Sequence, residues 1–262
     1  MRNATRFLKQ TCCRPMPVVV LVAALGAASA YAEDAPPSAP VIDPKALDAL
    51  KSMGTHLREL KSFTLHADTT IDEVADDGQK LQFGGTVDFK VRRPDRLRAD
   101  VNSDRRQRSY YYDGKSLTQY SPRMGYYATV DAPPTLRELA DVLEQKYDLS
   151  LPLTDLFRWG TDKDDGSGLT AAAFIGPSTI NKIECEHYAF RQSDADWQVW
   201  IAHDSQLPCK LVITTTEEAS QPQYEAEFTW HPNTALDDKT FVFDKPKTAH
   251  KIEIAVVDAS GN

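Results

Sequence analysis

The stretch SFTLHADTTIDEVADDGQKLQFGGTVDFKV, residues 62–91, carries a period of two on both sides of a turn. Phe63, Leu65, Ala67, Thr69 and Ile71 fall on one face, with His66, Asp68 and Asp72 on the other. That is the pattern of a strand with one dry and one wet side. Asp76-Asp77-Gly78 supplies turn chemistry. Beyond it Leu81, Phe83, Val87, Phe89 and Val91 share a face, and Gln82, Thr86, Asp88 and Lys90 lie opposite. The segment reads as a long antiparallel hairpin with one apolar face to bury.

Toward the C-terminus, Arg92-Arg93-Pro94-Asp95 breaks the alternation, and Leu97, Ala99 and Val101 resume it. Short strands fit residues 107–112, 116–120 and 125–130, separated by Asp113-Gly114-Lys115 and Ser121-Pro122-Arg123-Met124. Connections this short leave no room for crossover helices, so the six strands form one antiparallel meander. Leu136, Leu139, Val142, Leu143 and Tyr147 then recur at helical spacing after Pro133-Pro134, and a second short helix fits residues 153–158. Residues 133–160 are read as a helical insertion over the sheet, ended by the acidic loop Thr161–Gly168. Strands resume at 171–176, 182–191, 196–203, 208–216 and 223–230. Thr240–Phe243 and the tail add one short strand at most. The count comes to about eleven strands.

Toward the N-terminus, Leu47, Leu50, Met53, Leu57 and Leu60 mark an amphipathic helix, with Asp43 as its cap and Pro44 in its first turn. Residues 33–42, EDAPPSAPVI, read as a disordered lead-in. Arg2, Arg6, Lys9 and Arg14 precede an apolar run, Val18–Ala28, that ends at Ala30-Tyr31-Ala32. This is a signal peptide, residues 1–32, cleaved after Ala32 for export to the periplasm, with a retained anchor as the alternative. Cys12 and Cys13 precede the apolar run, so neither is placed for lipid attachment. One domain, residues 43–250, and a tail, residues 251–262, follow.

Cleavage would remove four of the 30 Lys+Arg and none of the 38 Asp+Glu, moving the formal charge from −8 to −12. So acidic a domain lacks the basic footprint that nucleic acid or anionic head groups require. Tyr110, Tyr111, Tyr112, Tyr120, Tyr126 and Tyr127, with Arg105, Arg106 and Arg108 nearby, could stack on bases. The charge and the export signal favour strand aromatics that alternate between core and solvent, and an excess on a concave side also suits an apolar ligand.

Cys185 and Cys209 are the two cysteines beyond the signal peptide, and in an oxidising compartment a disulfide is the default. If the strands around them form a simple meander, the pair sits on first and third strands, about 9 to 10 Å apart. A bridge then requires the middle strand to stop short near His203, or a different strand order. Cys185-x-His187 offers two metal-binding groups but no second pair at ligand spacing, so no metal or other cofactor is expected. Asp162-x-Asp164-Asp165-Gly166 begins like a calcium loop, but Ala173 stands where the closing Glu belongs. No G-x-S-x-G is present and the six histidines fall singly, so a hydrolase is the least favoured class.

Four stretches carry a family likeness: LRELKSFTL (57–65), GGTVDFKVRRPDRLRAD (84–100), YYYDGKSLTQYSP (110–122) and DWQVWIAHDSQLPCKLVITT (196–215). The chain resembles the periplasmic proteins of domain of unknown function 2092. More distantly, its element order resembles the lipoprotein-carrier superfamily that includes LolA, LolB, LppX and the sensor RseB. The resemblance implies an α+β, mostly β fold: a curved antiparallel half-barrel with an N-terminal helix and a helical lid over its concave face. Helix 43–60 and insertion 133–160 become plug and lid, and the Arg that helps hold the lid falls on Arg93, before Pro94. The implied function is a non-enzymatic carrier or chaperone for a lipid or acyl chain, its cavity lined by Phe63, Leu65, Phe83, Val87, Phe89, Val91, Leu139 and Leu143. The alternative is an RseB-like envelope sensor, with a membrane protein as second partner. The cysteine pair and the longer distal half depart from the LolA pattern.

Overall fold

The computed structural model describes residues 41–147, Leu153, Leu156, Trp159 and residues 168–254. The signal-peptide reading, residues 33–40 of the lead-in, the 153–158 helix apart from Leu153 and Leu156, the Asp162–Gly166 loop and the tail from residue 255 lie outside them. The chain opens on helix α1, Pro44–Glu59, capped by Asp43, whose carboxylate accepts from Lys45 N at 2.9 Å. Six strands follow: β1 Ser62–Val74, β2 Lys80–Arg92, β3 Arg96–Ser103, β4 Gln107–Tyr112, β5 Ser116–Ser121 and β6 Tyr126–Asp131. Helix α2, Leu136–Tyr147, leads to β7 Ala171–Ile180, β8 Ile183–Arg191, β9 Ala195–Ala202, β10 Pro208–Thr215 and β11 Gln223–Pro232. A 3-10 turn, Asp238–Phe241, and strand β12, His250–Lys251, end the described chain's regular structure.

The strands form one curved, open sheet in the order β12-β6-β5-β4-β3-β2-β1-β11-β10-β9-β8-β7. The chain starts in the middle with β1 and meanders outward to β6. It then crosses to the far edge at β7 and meanders back until β11 pairs with β1, from Phe63↔Pro232 to Ile71↔Tyr224. Neighbours are antiparallel except β12, which lies parallel to β6. The expected fold class is the one that forms, with twelve strands in place of about eleven. The Thr240–Phe243 strand is a correction: residues 238–241 turn as a 3-10 helix and the added strand lies at 250–251. The buried side chain of Phe241 draws the turn inward there, so local strand propensity does not decide. The 171–176 strand runs on to Ile180 through a bulge between Phe174 and Gly176.

Alternation along each strand sorts the side chains to two faces. On the concave face Phe63, Leu65, Val87, Phe89, Val91, Leu97, Tyr112, Val199, Leu211 and Phe228 are buried in one cluster. Both helices contribute their apolar stripes to it: Ala46, Leu50, Met53 and Leu57 from α1, Leu136, Leu139 and Leu143 from α2. Gly85 lets β2 approach β3 closely, since a Cβ there would lie 2.9 Å from Asn102 O and from Ser103 Cβ.

Residues 238–243 lie on the convex face. Arg92 pairs with Asp238 and sets its guanidinium over the ring of Phe241, 5.3 Å from the centroid. Phe243 packs against Tyr111, Tyr120 and Tyr127 at ring distances of 5.4, 5.3 and 5.1 Å. Those tyrosines point away from the core-facing Tyr110 and Tyr112, so the alternation expected of the aromatic block holds. The strap then returns to the sheet edge, where His250 pairs with Tyr126 and Lys251 with Tyr127.

Candidate ligand-binding face

The junction Arg93-Pro94 lies between β2 and β3, and both helices are tied to it. Arg93 Nη2 donates to the carbonyl of Leu57, in the last turn of α1, at 3.3 Å. The carbonyl of Pro94 accepts the amide of Leu136, the first residue of α2, at 2.8 Å. Burial, and secondarily the positive charge of Arg58, push the Arg93 guanidinium below its ordinary pKa. Arg92 turns to the opposite side of the sheet, toward Leu236 O and Asp238. Arg93 is therefore the arginine beside the helices.

At its start α1 is tied to the edge strand β7. Asp43 N donates to Ala172 O at 2.9 Å, and the Asp43 carboxylate accepts from Phe174 N at 3.3 Å. Lys45 lies over the Phe174 ring, 3.2 Å from its centroid, and pairs with Glu186 at 3.3 Å. Glu186 accepts the Tyr188 hydroxyl at 2.5 Å, and that bond, with help from Lys45, holds the carboxyl below its usual range. Trp159 is held from both sides. Arg58 Nη1 donates to Trp159 O at 3.1 Å, and Trp159 stacks on Trp197, which stacks in turn on Phe190 at 4.2 Å.

Of the residues expected to line a cavity, Phe63, Leu65, Val87, Phe89, Val91, Leu139 and Leu143 come together in the buried cluster. Phe83 sits further along the same face, half-buried, with Arg105 over its ring at 4.8 Å. Beyond it the face stays apolar while its cover ends: Ile71, paired with both Phe83 and Tyr224, is 45% exposed, and Leu81 is 39% exposed. The concave face thus has a covered floor and an open apolar end.

The second meander carries the cysteines. Cys185 and Cys209 are joined in a disulfide with Cα atoms 7.1 Å apart. The strand order is the simple meander that makes such a bridge difficult, and the middle strand resolves it. β9 ends at Ala202, the partner of Cys185, and the β9–β10 register shifts between Pro208 and Lys210, where Cys209 lies. The bridge packs over the small side chain of Ala202. A bridged Cys185 offers no thiolate to a metal beside His187; that imidazole lies flat on Trp200, 4.0 Å between ring centroids.

Residues 46–255 match the family described as "Predicted periplasmic protein (DUF2092)". The chain belongs to that family. No curated protein matches this DUF2092 chain. Among solved structures it is similar to the lipoprotein LppX of Mycobacterium tuberculosis, at 15% identity over 74% of this chain and 98% of LppX, with a TM-score of 0.48. It is also similar to LprF of Mycobacterium bovis, at 12% identity over 81% and 100% of the two chains, with a TM-score of 0.44. A third similar structure is the Pseudomonas aeruginosa MucA/MucB complex, at 13% identity over 76% of this chain and 61% of that one, with a TM-score of 0.36.

Two residues of this DUF2092 domain escaped sequence reading. In the sequence Arg108 stands out only through the neighbouring tyrosine block, and Gln119 belongs to no motif. Both belong to the concave face, because Arg108 precedes the buried Tyr110 by two and Gln119 is the partner of Tyr110 and of the buried Ala128. Period-two alternation through Tyr110 and Tyr112 was the available signal.

Proposed function

We propose that this protein binds an apolar chain, of the lipid or acyl class, on the concave face of its sheet and carries or shelters it in the periplasm. The supporting observation is the continuity of that face: the surface that is buried at Leu65, Val87 and Phe89 continues through half-buried Phe83 to exposed Ile71 and Leu81. A chain laid on it from the open end and passed beneath the helices would meet Phe, Leu, Val and Tyr side chains along its length. At about 0.8 kcal/mol per buried methylene, ten methylenes supply about 8 kcal/mol by desolvation, with few polar contacts required. No bond is made or broken in this role. Export would end with removal of residues 1–32, and N-terminal sequencing of periplasmic material checks this by finding Glu33 first.

Titration of the purified, delipidated protein with a fluorescent long-chain fatty acid tests the reading. Saturable binding is expected, weakened by at least ~10-fold in Ile71→Glu because a charge then lies in the apolar path. The half-exposed position lets that variant keep the wild-type circular dichroism. Absence of saturable binding to acyl, sterol and isoprenoid probes alike would overturn the proposal.

A further inference from the structure

The concave face is apolar except at a few positions, and two of its carboxylates are neutralised by cations. Glu73 is paired with Arg105 at 3.4 Å, and Glu186 with Lys45 at 3.3 Å. Arg108, half-buried on β4, has no carboxylate within ion-pair reach among the described residues. It faces the same side as Tyr110 and Tyr112, which belong to the core. One strand over, Gln119 holds its Oε1 buried without a hydrogen-bond donor. Tyr110 and Gln119 are register partners, so Arg108 and Gln119 are diagonal neighbours on one face, within reach of a long side chain.

The buried acceptor left unmet costs free energy in the unliganded protein, and the half-buried guanidinium at the diagonal position has no counter-ion among the described residues. Both groups are matched when one ligand supplies an oxyanion to the guanidinium and a hydroxyl or N–H to the amide oxygen. We propose that Arg108 and Gln119 form the head-group site for an acyl amphiphile whose head carries an oxyanion and, beside it, a hydrogen-bond donor. The inference rests on the apolar-chain reading above and names the ligand class within it. The charge of −12 left after removal of residues 1–32 denies the domain a broad basic footprint for an anionic surface, but a single head group is recognised locally and partly desolvated, so it does not oppose this site.

Three probes separate the two groups, each kept below its micelle concentration: 1-palmitoyl-glycerol-3-phosphate has both the oxyanion and the hydroxyl, palmitate the oxyanion alone, and monopalmitoylglycerol the hydroxyls alone. The delipidated protein is expected to bind them in that order of preference. Arg108→Gln should weaken the two anions by about 10-fold or more and leave monopalmitoylglycerol unchanged. Gln119→Leu should weaken the two hydroxyl-bearing probes by about 5-fold and spare palmitate. Arg108→Lys should keep the preference for anions, and Arg106→Gln, on the exposed neighbouring turn, should change nothing. Unfolding midpoints confirm that each variant is folded. If all three probes bind the wild type and Arg108→Gln leaves their ratios unchanged, the head-group site is wrong while the apolar reading stands. If none binds, both are wrong.

Discussion

Arg93, at the end of the first hairpin, donates its guanidinium to the carbonyl of Leu57 in the last turn of α1. The bond satisfies one of the carbonyls a helix leaves open at its C-terminus and places a cation at the negative end of the helix dipole. Removing it in Arg93→Ala should cost about 1 to 3 kcal/mol, as for hydrogen bonds made by charged groups. Hydrogen exchange should show the gain in opening at the C-terminal turn of α1 before it shows any in β1 or β2. Uniform loss of protection across the sheet would instead mean that Arg93 acts as general packing.

The Cys185–Cys209 bridge closes a loop with a sequence separation of 24. In the chain-entropy account such a loop is worth about 3 kcal/mol, so Cys185→Ala/Cys209→Ala should lower the urea midpoint by a corresponding amount. Thiol titration of the wild type, denatured without reductant, should find no thiol from this pair.

Two imidazoles respond to pH in opposite senses. The hydrogen bond to Asp88 at 2.7 Å, with the charges of Asp88 and Asp68, raises the His66 pKa above its ordinary 6.5 despite some desolvation. Its contribution to stability is complete below 6.5 and is lost as pH rises through the raised value. With 39% of the side chain exposed, that contribution is a few tenths of a kcal/mol at about the surface-pair scale. His187 is the reverse case: burial lowers its pKa, so its contribution is present above 6.5 and is lost as pH falls through the lowered value. Proton NMR should give a midpoint above 6.5 for His66 and below it for His187. His66→Gln should remove the alkaline-side loss of stability.

Phe243 holds the C-terminal strap to the convex face through three tyrosine rings. With each aromatic contact worth about 0.5 to 1.5 kcal/mol and the three not additive, Phe243→Ala should cost about 2 kcal/mol. Amide exchange at His250 and Ile252 should speed up in that variant, because their hydrogen bonds to Gly125 O and Tyr127 O close the β6 edge only while the strap is seated. Unchanged exchange there would separate the edge pairing from the aromatic contact.

Local pattern was enough for the first hairpin and the first helix of this fold. The alternation of residues 62–91 is realised as β1 and β2, paired in register from Ser62↔Arg92 to Val74↔Lys80, because a two-sided strand has one way to bury its apolar face. The spacing of Leu50, Met53 and Leu57 is realised as the buried stripe of α1 for the same reason. The tail was less legible: Phe241 and Phe243 suit a strand by composition, yet their partners lie on β2 to β6, far away in sequence, and those contacts fix a 3-10 turn and a strap.

By itself, then, the sequence determined the two meanders, helices α1 and α2, and which side chains of each strand face the same way, since these depend on spacing along the chain. The joining of the two halves was decided by tertiary structure: β1 and β11 pair across some 160 residues, and nothing local to either strand names the other. The disulfide followed from the same assembly, because its feasibility turned on β9 ending at Ala202 and on a register shift at Cys209. So did the setting of Arg108 and Gln119, two ordinary polar residues in strands, which became a cation with no ion-pair partner among the described residues, diagonal to a buried amide oxygen, once the concave face was lined with apolar groups.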